Sequence, residues 1–327
     1  MKEEVLALLR QTDDYLSGQN MSARLGVSRA AVWKAVEALR KEGYVIDSAP
    51  NRGYRLAAAT GRLSQREVLG LLGNHPWAPL VQVLDSVDST NNLAKTLAAQ
   101  GAPAGTVVIA DCQTGGRGRL GRSFLSPAGD GIYLSVILRP RATPPELMHL
   151  TCAVAEVMCD AVENATGLRP GIKWTNDLVW GGRKLAGILT ELSLEAELGH
   201  VQYAVVGIGV NCQQELSSFP PELQDMAGSL KMATGKTVDR NRLAAEMVRG
   251  LYRLDGSLVT GRLAWMKAYR KDCVTLGRAV AVRKADEARW GQALDVDDWG
   301  ALLVDFGQGP EAVRSGEVSV RGLYGYV

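Results

Sequence analysis

No two of the five cysteines (Cys112, Cys152, Cys159, Cys212, Cys273) are spaced as C-x-x-C, and the three histidines (His75, His149, His200) lie far apart. That spacing excludes a disulfide framework and speaks against a zinc or His-rich metal site; reduced, mostly buried thiols are expected. No run of about 18 apolar residues is present to span a bilayer. The opening MKEEVLALLRQTDD puts acids around its short apolar stretch, unlike a signal peptide. An excess of one charge is also missing. The 37 Lys+Arg against 35 Asp+Glu leave +2, too little for a general polyanion binder, so any nucleic-acid contact needs a local patch. Internal repeats and low-complexity tracts are absent too. The expectation is a soluble cytoplasmic protein.

What is present is an ordinary globular composition, 46% hydrophobic and 22% charged, over 327 residues, enough for two or three domains. Pattern divides the chain at 1–61, 62–272 and 273–327. The first region reads as three helices and two short strands: Glu3 to Arg10, Gly18 to Leu25, a third helix capped by Ser28 and running to Lys41 with Gly43 as its stop, then Tyr44 to Asp47 and Gly53 to Leu56. Residues 57–61 read as a linker. The middle region mixes strands (Val81 to Leu84, Thr106 to Ala110, Ile132 to Leu138, Leu185 to Glu191, Val201 to Val210) with helices (Thr90 to Gln100, Pro145 to Thr166, Asp239 to Arg270). The last region offers five short strands, Ala279 to Arg283, Trp290 to Val296, Leu302 to Phe306, Ala312 to Arg314 and Glu317 to Val320, which suggest a small barrel.

Two helices joined by a tight turn and followed by a hairpin describe a winged helix-turn-helix. Ser28, Arg29, Trp33 and Lys34 lie off the Val32/Val36 core face, where they can meet a major groove and its phosphates. Arg52, at the hairpin tip, can reach a flanking phosphate. A small helical domain with a solvated basic face is the plainer alternative.

Gly116 to Gly121 matches G-x-G-x-x-G, but a dinucleotide fingerprint needs a helix after the loop. The following residues, Ser126 to Gly131 and then Ile132 to Ile137, read as loop and strand. A P-loop fails for want of its G-K-[ST] ending. The arginines are the stronger signal: Arg117, Arg119 and Arg122 on glycine-rich backbone suit an arriving phosphate, against the alternative of an exposed basic loop.

GGRGRLGRSFLSP resembles the glycine- and arginine-rich loop of biotin–protein ligases, and its neighbours agree. Asp88-Ser89-Thr90-Asn91 is similar to the family's D-S-T-N, Gln113 to the glutamine before the loop, and Lys173-Trp174-Thr175-Asn176-Asp177 to K-W-P-N-D. Gly182 to Leu189 resembles the lysine-bearing hairpin and Gly207 to Asn211 the G-x-G-x-N strand end, all in the family's order. Thr175 departs from the usual proline and Phe124 from a frequent tryptophan. With its flanking regions the chain resembles the bifunctional ligases that also repress biotin operons.

The resemblance implies a multidomain α+β protein: a winged helix-turn-helix, a central mixed α/β ligase domain of the biotin/lipoate type, and a C-terminal SH3-like β-barrel. It implies ATP, biotin and Mg²⁺, a biotinyl-5′-AMP intermediate, and transfer to a lysine of a biotin carboxyl carrier protein, as in acetyl-CoA carboxylase. It assigns catalysis to Lys184, Arg119 and Asp177, the last also metal-side. Biotin falls to Ser89, Thr90, Asn91, Gln113, Arg117, Lys184, Gly187, Gly207 and Gly209, with Trp174 and Leu189 as possible walls. The adenylate falls to Arg117, Gly118, Arg119, Arg122, Phe124, Lys173, Asn176 and Asn211. Operator DNA and an adenylate-linked homodimer complete the implied partners. A lipoate-type ligase, or a biotin-sensing repressor without ligase activity, are the alternatives.

Overall fold

The computed structural model describes residues 1–12, 14–41, 44–58, 62–195, 199–284, 287–314 and 319–322, with backbone alone at 57, 58, 284 and 319–322. Gly43, the end of the expected linker (59–61) and the expected strand's Glu317 and Val318 lie outside the described residues. The chain divides into two compact units, 1–63 and 64–327.

The first unit holds α1 (Lys2–Arg10), α2 (Gly18–Leu25), α3 (Arg29–Lys41), β1 (Val45–Ala49) and β2 (Gly53–Ala58). Ser17 caps α2 by accepting from Asn20 N at 3.1 Å, and Ser28 Oγ accepts from Ala31 N at 3.2 Å in the first turn of α3. Gly26, at φ 66°, ends α2 in the left-handed turn that a side chain would resist. Leu6, Leu9, Met21, Val32, Val36, Leu39 and Ile46 bury one shared core. The hairpin is tied to the helices by Leu16, whose N–H donates to Tyr54 O at 2.8 Å and whose carbonyl accepts from Tyr54 N at 3.0 Å.

In the second unit follow α4 (Gln65–Leu72), β3 (Val81–Leu84), α5 (Thr90–Ala99), β4 (Val107–Ala110), β5 (Gly131–Leu138), α6 (Leu150–Thr166), β6 (Gly171–Lys173), β7 (Asp177–Trp180), β8 (Arg183–Leu194) and β9 (Val201–Asn211). Then come α7 (Leu230–Thr234), α8 (Arg240–Asp255), α9 (Arg262–Asp272), β10 (Ala279–Lys284), β11 (Glu287–Val296), β12 (Leu302–Asp305), β13 (Pro310–Val313) and β14 (Ser319–Gly322). Seven strands form a mixed sheet in the order β3-β4-β5-β9-β8-β7-β6, parallel only between β3 and β4. The C-terminal strands form a five-stranded antiparallel sheet, β13-β12-β11-β10-β14.

Strand alternation sorts the mixed sheet into two faces. Ile137 and Val205 meet Ala94 and Ala98 of α5, whereas Thr190 of β8 bonds Thr151 of α6 at 2.9 Å. Both outer edges are covered. Gln65 presents its amide to β3, accepting from Val83 N at 2.6 Å and donating to Val81 O at 3.0 Å. At the other end Val274 N donates to Ile172 O of β6 at 2.9 Å.

Several elements differ from expectation. The helix expected over Asp239 to Arg270 is two, α8 and α9, interrupted by a segment holding Gly256 and Gly261. Asp239 caps α8, accepting from Asn241 N and Arg242 N at 3.0 Å each. The helix expected from Pro145 begins as a separate 3-10 turn, Pro145–Leu147, before α6. The short elements α4, α7, β6 and β7 carry too few residues to show a period.

Candidate active site

A cleft open to solvent, lined by residues from five separate segments of the chain, lies on the α5 face of the mixed sheet. Its floor is glycine. Gly187 and Gly209 are cross-strand partners and Gly207 follows on the same face of β9. A Cβ on Gly207 would lie 2.1 Å from Asn91 Oδ1, and one on Gly209 would lie 2.6 Å from the Phe124 ring. These positions are bare because other side chains occupy the space a methyl would need.

One wall comes from the start of α5. The parallel β3–β4 pairing continues past both strands through a Val87–Gln113 bridge, with Thr114 N donating to Val87 O at 3.0 Å and Gly115 N to Asp88 O at 2.7 Å. That extension lays Asp88 to Asn91 beside Gln113, although they are far apart in sequence. Ser89 caps α5, while Gln113 Oε1 accepts from Thr90 N at 2.8 Å and Thr90 Oγ1 at 3.0 Å. Gln113 Nε2 donates to Ser126 Oγ at 3.0 Å. Ser135 Oγ stands 2.8 Å from Thr90 Oγ1 and donates to Asn91 Oδ1 at 2.6 Å, and Asn91 Nδ2 donates to Glu191 Oε2 at 2.8 Å. Ser126, Ser135 and Glu191 were given no role by the sequence reading: Ser126 lies in the loop stretch quoted above without a signal of its own, and Ser135 and Glu191 are single polar residues within strands, which carry no motif.

The arginine loop closes as a small hairpin. Phe124 N donates to Gly116 O at 3.0 Å, Gly118 N to Arg122 O at 2.6 Å, and Arg117 bridges Ser123. Its tip places Leu120 at φ 56° and Gly121 at φ 72°, so a branched residue is held in the left-handed region with its side chain exposed. Arg119 reaches across the cavity, Nη1 donating to Asn176 Oδ1 at 2.9 Å. Burial pulls its guanidinium below the ordinary arginine value, opposed by Asp177 and reinforced by Arg122.

Opposite stands the lysine hairpin. β7 and β8 pair as Leu178↔Ala186 and then Val179↔Lys184, so Leu185 is an extra residue in the ladder. This bulge turns Lys184 onto the face of Gly187 and Asp177, where plain alternation from Ala186 would send it to the opposite one. Lys184 Nζ lies 2.6 Å from Asp177 Oδ1 and 5.9 Å from the Phe124 ring centroid. Its backbone is pinned, N donating to Met226 O at 2.7 Å and O accepting from Gly228 N at 2.9 Å. Asn176 Nδ2 donates to Asp177 Oδ1 at 3.1 Å and to Ile188 O at 3.0 Å.

The cavity gathers Ser89, Thr90, Asn91, Gln113, Arg117, Gly118, Arg119, Phe124, Asn176, Lys184, Gly187, Leu189, Gly207 and Gly209, and adds Ile188 and Ile208. Arg122, Lys173, Asp177 and Asn211 are outside its lining, Asp177 touching it through Lys184. Asn211 Nδ2 donates to Gly228 O at 3.0 Å and its Oδ1 accepts from Gln214 Nε2 at 3.3 Å. Trp174 is buried away from the cavity. Its N–H donates to Thr275 Oγ1 at 2.9 Å and its indole to Gly300 O at 3.0 Å, so it joins the mixed sheet to the C-terminal segment. The Trp174–Thr175 peptide is cis, and Thr175 O accepts from Tyr269 OH at 3.2 Å.

In the first unit Ser28, just before α3, and Arg29, Trp33 and Lys34 on it are all exposed, Trp33 by 53%. Arg52 is engaged, 2.7 Å from Asp14 and 4.5 Å over the Tyr15 ring.

Comparison with known proteins reaches all three regions of the chain. The Biotin/lipoate A/B protein ligase family matches residues 83–211, an HTH domain residues 2–55, and the Biotin protein ligase C terminal domain residues 275–321. The bifunctional ligase/repressor BirA of Bacillus subtilis is 34% identical over 322 residues, covering 98% of each chain. Its Escherichia coli namesake is 30% identical over 319 residues, covering 97% of this chain and 96% of that protein. Among solved structures, the Aquifex aeolicus biotin protein ligase in complex with biotin and ATP superposes with a TM-score of 0.64 at 28% identity, covering 74% of this chain and 98% of its own.

Proposed function

The chain belongs to the biotin protein ligases that are also repressors, and on that footing we propose how its own residues do the work. The activity is ATP-dependent ligation. Biotin's carboxylate attacks the α-phosphorus of ATP and pyrophosphate leaves; the amine of a carrier-protein lysine then attacks the acyl carbon of biotinyl-5′-AMP, loses a proton and expels AMP. The N-terminal unit binds operator DNA.

The observation that carries the site assignment is the convergence of cations on one glycine-floored cavity: Lys184 held 2.6 Å from Asp177, and Arg119 held 2.9 Å from Asn176 across the gap. The first step brings two anions together, and fixed positive charge lowers that barrier as charge develops on the phosphate. Lys184 takes the carboxylate and α-phosphate oxygens, and Arg119, with Arg117, Gly118 and Arg122 from the hairpin, holds the adenylate phosphate. Ser89, Thr90, Asn91 and Gln113 form the ureido recess, over Gly187, Gly207 and Gly209. Phe124 covers the ligand. Lys173, Asn176 and Asn211 belong to the adenylate side, Asn211 acting through Gly228 and Gln214, which it already bonds.

The described cavity lining contains no acid, and Asp177 adjoins it. One carboxylate plus substrate phosphates is the donor set that Mg²⁺ favours, so Asp177 suits the cation accompanying ATP, which supplies charge neutralisation. Arg29, Trp33 and Lys34 face the operator. The reading extends to a cytoplasmic protein that dimerises with biotinyl-5′-AMP bound, which makes the adenylate a co-repressor through its differential affinity for the two states.

The test is release of pyrophosphate from ATP by the purified full chain, with and without biotin, followed by labelling of a carrier domain. Release that needs biotin, with label on the carrier lysine, is expected. Release indifferent to biotin would sink the reading.

A further inference from the structure

The arginine hairpin belongs to the connection between β4, which ends at Ala110, and β5, which begins at Gly131. The strand ladder does not close the base of that connection. Its last pair is Ala110↔Tyr133, and Asp111 N turns to the other side, donating to Leu84 O at 2.9 Å. A side chain from far along the chain takes over. Arg240, the first residue of α8, donates from Nη1 to Asp111 Oδ1 at 2.5 Å and to Gly131 O at 2.9 Å. The second carboxylate oxygen, Asp111 Oδ2, accepts from Gly129 N at 3.1 Å. One guanidinium and one carboxylate thus join the two ends of the segment 112–130, where a further pair of ladder bonds would otherwise do so.

Arg240 is 1% exposed and the Asp111 side chain 17%, so water does not readily replace either partner. Neither residue is in the described lining of the cleft. The start of α8 also reaches the adenylate side. Val238, two residues before Arg240, accepts at its carbonyl from Gln213 Nε2 at 2.6 Å. Asp130 O, beside Gly131, accepts from Cys212 N at 2.9 Å and Gln213 N at 2.8 Å. Asn211, given to the adenylate side above, immediately precedes those residues and pairs with Gly131. The base of the arginine hairpin and the turn after β9 therefore share one anchor.

We propose that Arg240 is a positioning residue for adenylate retention: by joining Asp111 to Gly131 it sets where the arginine hairpin stands over the glycine floor, and through Asp130 and Val238 it ties that pose to the turn after β9. Arg119 spans the cleft to Asn176, so a shift at the base of the hairpin is carried to its guanidinium. A displacement of about 1 Å at a positioning group changes a rate by up to about 100-fold. Gln113, although close to Asp111 in sequence, is held separately by Thr90 N and Oγ1, so the biotin recess keeps its shape when the clamp is cut. This rests on the ligase reading above.

The experiment uses the full chain, with biotin binding by calorimetry in the absence of ATP and the escape of labelled biotinyl-5′-AMP, made on the enzyme, into excess unlabelled adenylate. It compares the wild type, Arg240→Met, Arg119→Ala and the two combined. In R240M the adenylate is expected to leave about tenfold faster, with the Kd for biotin within about twofold of the wild type. Because Arg240 acts through the hairpin, adding R240M to R119A should speed release about threefold less than R240M does alone. Release in R240M less than about threefold faster than the wild type overturns the inference. So does biotin affinity falling as far as adenylate retention, or a double variant in which the two effects multiply in full. Should the carboxylate left alone in R240M unfold the chain, the charge-balanced R240M/D111N takes its place, with the same faster release expected and unchanged release overturning the inference. A wild type that forms no adenylate from biotin and ATP defeats the ligase reading instead, so the two failures are separable.

Discussion

Asn91 Oδ1 sits 2.1 Å from where a Gly207 Cβ would be, closer than any real pair of such atoms. Asn91 is short and buried in its own hydrogen bonds, so it has little room to yield. Gly207→Ala is expected to raise the KM for biotin by about tenfold or more, about 1.4 kcal/mol, with a smaller effect on ATP. In Gly187→Ala the conflict, 2.9 Å, is with the flexible end of Lys184, so kcat should suffer more than KM. Steady-state kinetics on both variants check the contrast; the reverse order would mean the floor is misassigned.

Lys184→Ala removes the ammonium facing the cavity but none of the ureido recess. Biotin-dependent pyrophosphate release should drop by about 100-fold or more, while biotin binding by calorimetry stays measurable. Release near the wild-type rate would refute the role given to Lys184.

Trp174→Phe deletes the indole donor to Gly300 O while keeping an aromatic ring in the core. The expected loss is about 1–3 kcal/mol in urea unfolding, with the KM for biotin within about twofold. A large change in biotin affinity without loss of stability would instead place Trp174 at the ligand.

Glu67, on α4, is buried, and burial first, then the charge of Asp239, pushes its carboxyl from 4.5 up to about 7. Between those values the folded state binds more protons than the unfolded one, so this group's contribution falls as pH rises through that window. Above it, the cost of an ionised buried carboxylate is complete. Glu67→Gln should therefore be the more stable protein at pH 8, by on the order of 2–3 kcal/mol, with the gap closing towards pH 5. Urea titrations at both pH values decide; a gap that does not change with pH would rule the titration out.

Arg52 is paired with Asp14 at the wing. Asp14→Asn releases the guanidinium for a phosphate, so operator affinity should rise about two- to fivefold at low salt and converge with the wild type at high salt. Gel shifts at two ionic strengths measure it. No rise at low salt would show that Arg52 stays off the DNA.

The sequence and the structure part company at particular places. α3 shows in the pattern because its burial repeats over several turns, and α6, β5 and β9 show as long apolar runs. The glycines and arginines of the cavity were legible as motifs for a chemical reason, close approach and anion binding. Lys184 was legible as a residue, yet the bulge at Leu185 that aims it was not, since an inserted residue looks like any other. Ser135 and Glu191 were invisible because their partners lie 44 and 100 residues away. Trp174 was read as a ligand wall or as ordinary core, and only the positions of Thr275 and Gly300 turn it into a joint.

The covered ends of the mixed sheet bear on how the molecule behaves in company. Bare strand edges invite pairing with other chains. Here a side-chain amide imitates backbone along β3, and a stretch leading into the C-terminal sheet does the same for β6. Removing the residues after 272 would thus take away more than a domain. It would uncap one end of a seven-stranded template and leave it open to self-assembly.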